Sequence, residues 1–551
     1  MPDSDDLHTM QLIDRDIHLA KALIIDGNPT SRSVLAGQLR DLGVQQVRQM
    51  SRVQDARLAL EESPYEIVLC EMTFDGAPMS GQDLLDELRR EQLLPYSTVF
   101  ILVTGEATYS QVLEAAEATV DGYLVKPYSG AVLAEKLAEV RRRKRTLKPI
   151  YEAIQAGEFA RAAALAEVRF NARESYWTFS AQVAAELWLR ADQPAQAMKI
   201  YSAVAAERPQ SWAKAGQARA RLAMGELGAA RRLLEALVTE VPDYPDAHDL
   251  LGRLLVEQGE FGPALDAFRT ASTLTPGCLL RLQHRGTLAF YQGHKAEAAQ
   301  HIERTIALGR KSKLFDGLCL LLLGLLKFDQ RDARGMGGVL DQMTSMSDAF
   351  GSSVRLGRMR KVLEGLAAIQ GRRLDEALNI ARMLAAQIMS SGFDLEAAAM
   401  TIGLWARLPT GEVPLKEFDS LLRQASLRFC VSKASTEVLA SSTDKLAAAE
   451  DTVRQCHVDV MGVAEQALNR SMSGEAAQAV AILLEQGEHT RNAKLIDMAA
   501  AVARRHAQHV PDVAAVQQQV QDLQSAYCAP LTHIAGMRRS ARMPGGVVLR
   551  T

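Results

Sequence analysis

Residues 98–104 read Thr-Val-Phe-Ile-Leu-Val-Thr, and residues 122–127 read Gly-Tyr-Leu-Val-Lys-Pro. Both runs are short, apolar and rich in β-branched or aromatic side chains, and both give way to a polar residue. Residues 22–25, ahead of Asp26-Gly27, and residues 66–70, ahead of Glu71, share this character, and a weaker run lies near Val47. Strands that are apolar at every position are covered on both faces, which calls for a parallel sheet between helices. Helical patterns fill the intervals around 31–42, 53–62, 82–90, 109–118 and 131–143. Residues 19–145 therefore read as an α/β doubly wound domain of about five strands. Working residues of such sheets lie at the carboxyl ends of the strands, here Asp26, Gly27, Glu71, Thr104 and Lys126.

In that order and spacing the segment resembles the receiver domain of two-component response regulators, a flavodoxin-like fold, over residues 21–140. The family has an acidic pair after its first strand, a phosphoacceptor Asp after the third, a Ser or Thr after the fourth and Lys-Pro after the fifth. Thr104 and Lys126 match, and Tyr123 stands at the family's aromatic switch position. The resemblance also implies a cis bond at Lys126-Pro127. Asp26 keeps the first acid, Gly27 replaces the second, and Glu71 stands at the acceptor position. Phosphoryl transfer needs an in-line carboxylate and a Mg²⁺ held by neighbouring oxygens. With Gly27 the site is one ligand short, so Mg²⁺ binding is expected to be weak. Glu71 is one methylene too long and imitates a permanent negative charge that Lys126 can pair with. Asp75, in a lengthened loop at 72–81, is a badly placed substitute acceptor. The expectation is a pseudo-receiver; the alternative is a phosphorylatable response regulator with a protein-binding output.

The whole chain has 551 residues, too many for one core. Apolar residues are 48%, charged residues 23% and the formal net charge is −3, which supplies no global field for nucleic acid or an anionic membrane. Six cysteines without a CxxC pair fit a reducing, cytoplasmic setting better than a disulfide framework. The most apolar window, 318–326, is under half a membrane span and reads as a buried helix. Residues 1–18 and 531–551 are polar or basic and read as disordered ends. Residues 141–148 carry six basic side chains, read as a solvated helix end, and Pro149 reads as a hinge.

Past that point the chain repeats. Gly225, Gly259 and Gly293 are 34 apart, as are Ala218, Gly252 and Gly286, then Ala230, Ala264 and Ala298, while Pro242 and Pro276 keep the interval. This pattern resembles the tetratricopeptide repeat, each unit a helical hairpin with Gly at its turn. Residues 146–310 are expected to be such repeats and residues 311–530 degenerate helical repeats, together an all-α tetratricopeptide-type solenoid. Earlier turns are expected at Gly157 and Asp192, later ones at Gly371 and Gly474. The concave face would be lined by the first helix of each unit, with Arg219 and Arg253 at its ninth position and Trp212, Val256, Phe290 and Tyr291 nearby. That set suggests a groove for an acidic, partly hydrophobic peptide segment, or else arginines that pair with acids of neighbouring repeats. Val513, Val516, Val520 and Leu523 form either a coiled-coil seam or the stripe of a terminal helix.

Catalytic constellations are missing: there is no GxxxxGK, GxGxxG, HExxH or GxSxG, the SxxK match at Ser442–Lys445 lacks partner motifs, and His506 with His509 lacks a third metal ligand. The reading is a non-enzymatic signalling adaptor without a resident metal. Its partners would be a sensor histidine kinase or other signalling protein and a peptide in the repeat groove.

Overall fold

A computed structural model describes residues 16–74, 80–81, 84–85, 88, 94–95, 97–105, 121–207, 210–276, 278–309, 315–349, 353–408, 415–443, 446–528, 533–534 and 537–538. The expected helix at 109–118 and Asp75 lie outside them, as do most of the first and last 20 residues.

Five strands, β1 (Lys21–Ile25), β2 (Gln46–Met50), β3 (Ile67–Glu71), β4 (Val99–Thr104) and β5 (Gly122–Val125), form a parallel sheet of order β2-β1-β3-β4-β5. Alternate side chains feed two cores. Leu23, Ile25, Val68, Cys70, Phe100 and Leu102 lie on one face, Ala22, Ile24, Leu69, Ile101 and Val103 on the other. The register sets Glu71 opposite Val103 and Thr104 opposite Val125, so the polar strand ends converge on one edge. The Lys126-Pro127 bond is cis.

Helix Gly130–Thr146 covers the sheet with Leu133, Leu137 and Val140 and then runs into the repeats. Its basic end is solvated in part: Arg142, Arg145 and Lys148 are exposed, but two of its cations turn inward. Lys144 is buried, its Nζ 2.6 Å from Asp121 Oδ1 and 4.9 Å from the Tyr151 ring centroid, and Arg143 stacks 4.7 Å over Phe179. Pro149 is not a hinge either, because it occupies the first turn of helix Lys148–Gln155, where a missing N–H costs nothing. Only Leu147, 1% exposed, separates the two helices. Charge pairing and ring stacking thus lock the domain junction. Lys144→Met should leave buried Asp121 to Arg143 alone, cost about 1–3 kcal/mol and raise protease cleavage around residues 141–158; an unchanged digest would show that the junction does not depend on this pair.

Helical hairpins follow: Lys148–Gln155 with Phe159–Asn171, Trp177–Arg190 with Pro194–Glu207, Ser211–Ala223 with Leu227–Glu240, Pro245–Glu257 with Phe261–Leu274, and Leu279–Tyr291 with Lys295–Gly309. Leu318–Asp329 with Ala333–Ala349 and Val354–Gln370 with Leu374–Ala385 continue them. Gly225, Gly259 and Gly293 hold φ of +78°, +73° and +76° at the turns, and a Cβ on Gly252 would come within 2.8 Å of the Phe268 ring of its own hairpin. Gly157, Asp192 and Gly474 also take positive φ. Gly371 does not; its φ is −81° and the left-handed residue is Arg372, as it is Arg331 one unit earlier. The 318–326 window is a helix buried along its length.

One buried cluster runs from Leu255 to Val453, so residue 310 marks a change of sequence register and not a break in the core. Within that cluster the chain folds back: helix Lys433–Ser441 packs against helix Pro245–Glu257, and Lys433 lies over Gly259. A second cluster holds the helices from Ala447–Met472 to Val513–Tyr527, where Val520 and Leu523 are buried. The 513–523 stripe is therefore spent inside the chain. Residues 533–534 and 537–538, expected in a disordered tail, pair as antiparallel strands near helices Leu395–Trp405 and Lys433–Ser441.

Candidate functional site

At the edge of the sheet, Asp26 follows β1 and is 2% exposed. The next residues secure it. Asn28 caps helix Pro29–Asp41 by accepting from Thr30 N and Ser31 N at 2.9 and 3.2 Å. That turn lets Asn28 N donate to Asp26 Oδ1 (2.7 Å) and Ser31 Oγ to Oδ2 (2.6 Å). Lys126 Nζ donates to the same Oδ2 at 2.9 Å and also to Glu71 Oε2. The ammonium therefore bridges the two carboxylates. Lys126 is positioned by its own N–H donating to Thr104 O (2.8 Å), at the end of β4.

Burial alone would raise the Asp26 carboxyl, but hydrogen bonds from Ser31, Lys126 and Asn28 outweigh it and hold the group below its ordinary value. Glu71 goes the other way. Burial raises its carboxyl, and Lys126, shared with Asp26, only partly offsets the rise. Lys126 loses by burial and gains more from its two carboxylates, so it stays protonated. Tyr128 is pushed up to about 12 by burial and by the negative charge of Asp26 and Glu71.

Gly27 faces space: a Cβ there would meet nothing nearer than Phe74 at 4.0 Å. Gly81 is packed, since a Cβ would fall 2.3 Å from Glu71 O. Thr104 is buried at 4%, and Tyr123 packs, half-buried, against the core holding Phe100 and Leu102. Of the six pocket residues chosen from sequence, the structure brings Asp26, Glu71 and Lys126 into side-chain contact, ties Lys126 to Thr104 through the backbone and leaves Gly27 beside Asp26, while Tyr123 lies within β5 against the core. The holders of Asp26, Asn28 and Ser31, were missed, although Asn-Pro two residues after the acid is a capping signal.

Residues 22–138 match the response regulator receiver domain family. Chemotaxis protein CheY-3 of Vibrio cholerae is 35% identical over 120 residues, 22% of this chain and 90% of that protein. The chain belongs to the response regulator receiver family. Chemotaxis protein CheY of Pseudomonas aeruginosa is 34% identical over 120 residues, 22% of this chain and 94% of that protein. Two solved structures are also similar to parts of the chain. A tetratricopeptide repeat protein from Parabacteroides merdae covers 51% of this chain and 97% of its own at 12% identity and a TM-score of 0.30. The APC/C hetero-tetramer Cut9-Hcn1 covers 82% and 80% at 15% identity and a TM-score of 0.33. The receiver segment thus carries an appended array more than three times its length.

In that array Arg219 and Arg253 do not present two open cations. Arg219 Nη1 lies 2.9 Å from Glu186 and Nη2 3.8 Å from Asp246, while Arg253 lies 2.6 Å from Asp249. Arg281 and His284 close the ladder on Asp246 (2.9 Å) and Asp249 (3.3 Å). Desolvation holds the buried His284 ring below its ordinary value, against the pull of Asp249, so it adds no charge near neutrality. The groove wall is thereby neutralised. Trp212 is part-buried, edge-on to Tyr201 at 6.1 Å. Phe290 and Tyr291 do not line an open groove: with Leu318, Glu396, Met400 and Ser442 they enclose a small cavity, because helices Leu395–Trp405 and Lys433–Ser441 fill the inner face there. Val256 is buried at 2% for the same reason.

Among the described residues no three His, Cys, Asp or Glu side chains are grouped to hold a metal. Ser442 is buried and donates to Val438 O (2.8 Å), while Lys445 of the SxxK match lies outside the described residues.

Proposed function

We propose that the chain is a two-component signalling adaptor: a pseudo-receiver, residues 19–145, that docks a sensor histidine kinase or another signalling protein, joined to a protein-binding scaffold. The observation that carries this is the Lys126 ammonium held between Asp26 and Glu71. Mg²⁺ requires near-octahedral oxygen ligation at about 2.0–2.1 Å. Here Asp26 is already used by Asn28, Ser31 and Lys126, and position 27 offers no donor. The donor set suits an ammonium and not a divalent cation, so Mg²⁺ is expected to bind weakly. A titration of Mg²⁺ with beryllofluoride, read by spectral change, tests this; saturable binding at the affinity of a competent receiver favours the phosphorylatable regulator.

The scaffold is taken as repeats at 146–310 and degenerate repeats at 311–530, between ends at 1–18 and 531–551. No helix among the described residues is long and apolar enough to cross a membrane. The cytoplasmic setting rests on six scattered cysteines without a CxxC pair. The absence of nucleophile, base and phosphate-loop constellations supports a non-enzymatic role.

The repeat face that carries Trp212, Arg219 and Arg253 would take an acidic, partly hydrophobic segment whose carboxylates exchange with Glu186 or Asp249 for the arginines. Once a pull-down has named the partner, Arg219→Gln with Arg253→Gln should weaken it on the order of tenfold or more, about 1–3 kcal/mol per anchor, and flatten the salt dependence. Equal affinity at two salt concentrations moves the binding face elsewhere.

A further inference from the structure

Residues 1–15 carry four aspartates, one arginine and the apolar side chains Leu7, Met10, Leu12 and Ile13. They lie outside the described residues, but the point at which they join them is fixed. Asp16 Oδ2 lies 3.3 Å from Arg145 Nη1, and Arg141 Nη2 donates to Asp16 O at 3.4 Å. Both arginines belong to the end of helix Gly130–Thr146, whose Arg143 stacks over Phe179 of the repeats. At about 100° per residue, Arg143 is on the opposite side of that helix from Arg141 and Arg145.

We infer that residues 1–15 lie along the repeat face that carries Phe179, Trp212, Arg219 and Arg253 and act there as a built-in competitor of the partner. The inference rests on the reading of that face as a docking surface for an acidic, partly hydrophobic segment. Charge selects this occupant. Residues 529–551 carry four arginines and no acid, whereas residues 1–15 have the sign that Arg219 and Arg253 attract. Those two side chains are 20% and 33% exposed, and Glu186, which faces Arg219, is 34% exposed, so exchanging it for another carboxylate costs little. Order agrees as well. Going back from Asp16, Ile13, Leu12 and Met10 come before Asp6 and Asp3. Going out from the junction, Phe179 and Trp212 come before Arg219 and Arg253, on helices Trp177–Arg190, Ser211–Ala223 and Pro245–Glu257, which pack side by side. Reach suffices: rounding one helix of about 10 Å and crossing two steps of about 8–10 Å needs roughly 30 Å, and the 13 residues from Asp16 to Asp3 span up to about 43 Å. Asp3 and Asp6 are about 10 Å of extended chain apart, one such step. A segment tethered this closely sits at an effective concentration on the order of 1 mM, so a contact of only ~0.1 mM affinity fills the face about nine-tenths of the time and weakens a competitor about tenfold.

Fluorescence anisotropy of a labelled synthetic peptide of residues 1–15, titrated with the full chain, tests this. Asp3→Asn with Asp5→Asn and Asp6→Asn changes no described residue and frees the face of its own segment. This variant should bind the peptide about tenfold more tightly than the wild type does. Arg219→Gln with Arg253→Gln in the same background should remove the gain. Where that pair disturbs the circular dichroism spectrum, Arg253→Gln alone gives the same comparison. Equal binding by the wild type and the aspartate variant, binding to neither, or a gain that survives the arginine substitutions each overturns the inference. The docking reading falls separately, when a pulled-down partner binds the arginine variant as well as it binds the wild type.

Discussion

Incubated with Mg²⁺ and a small-molecule phosphodonor, the full chain should acquire no stoichiometric base-labile phosphate. The in-line nucleophile sits on Glu71, whose carboxylate is tied to Lys126, and the space beside Gly27 holds no metal ligand. That space also makes the repair possible. A Cβ at 27 meets nothing closer than Phe74 at 4.0 Å, so Gly27→Asp starts without a clash at its first side-chain atom, and Glu71→Asp withdraws the second carboxylate by one bond. The double variant should gain Mg²⁺ affinity on the order of tenfold or more, because one added carboxylate gives the cation a second charged ligand. Glu71→Gln separates the two effects: it removes the charge that Lys126 shares and should alter partner binding without restoring Mg²⁺. Titration calorimetry and phosphoprotein mapping read all three. Identical partner binding in the wild type, Glu71→Gln and the double variant sinks the imitation of phosphate, and labelling that maps to Asp75 hands the function to the phosphorylatable reading.

Asp26, Glu71, Thr104 and Lys126 were legible because each stands at the end of a strand whose apolar run is continuous, and strand ends cannot move without turning the sheet inside out. The repeats were legible as far as residue 309 for a different reason: a left-handed turn next to a close helix contact leaves Gly and Ala as the cheap solutions, and these recur every 34 residues. From Leu318 on, the same turn is made by Arg331 and Arg372 at φ of +59° and +58°, residues that carry no turn signal, and the register vanished from the sequence although the hairpins persisted. The filling of the inner face was not legible at all. It rests on contacts between distant residues, such as Arg407 with Asp329 at 2.9 Å across 78 positions, and no periodicity encodes which helix returns to which groove. The same blindness cast Phe290 and Tyr291 as open anchors when they are walls of a closed core.

The charges that hold that returned segment should show the largest stability effect in the chain. Arg355 Nε lies 2.6 Å from Glu396 Oε1, and its Nη2 2.7 Å from Asp316 Oδ1, so one guanidinium serves the buried Glu396 carboxyl of helix Leu395–Trp405 and the part-buried Asp316 just ahead of helix Leu318–Asp329. Burial and the nearby Asp316 raise the Glu396 carboxyl to about 7, against the pull of Arg355. Arg355→Met would remove the cation that faces the buried Glu396 carboxyl, and removal of one partner from a buried pair costs about 3–5 kcal/mol. The sign with pH follows from proton counting. A carboxyl that is higher in the folded than in the unfolded protein makes the folded state bind more protons, so stability falls as pH rises from the unfolded value of 4.5 through the folded one. In the variant the folded value rises further, so its deficit should be smallest near pH 5 and grow towards pH 8. Glu396→Gln in the same background removes the titrating group and should flatten that slope. Thermal unfolding at four pH values measures both, and a deficit independent of pH would mean that Glu396 stays ionised without Arg355 and that the inner helices are held by packing alone.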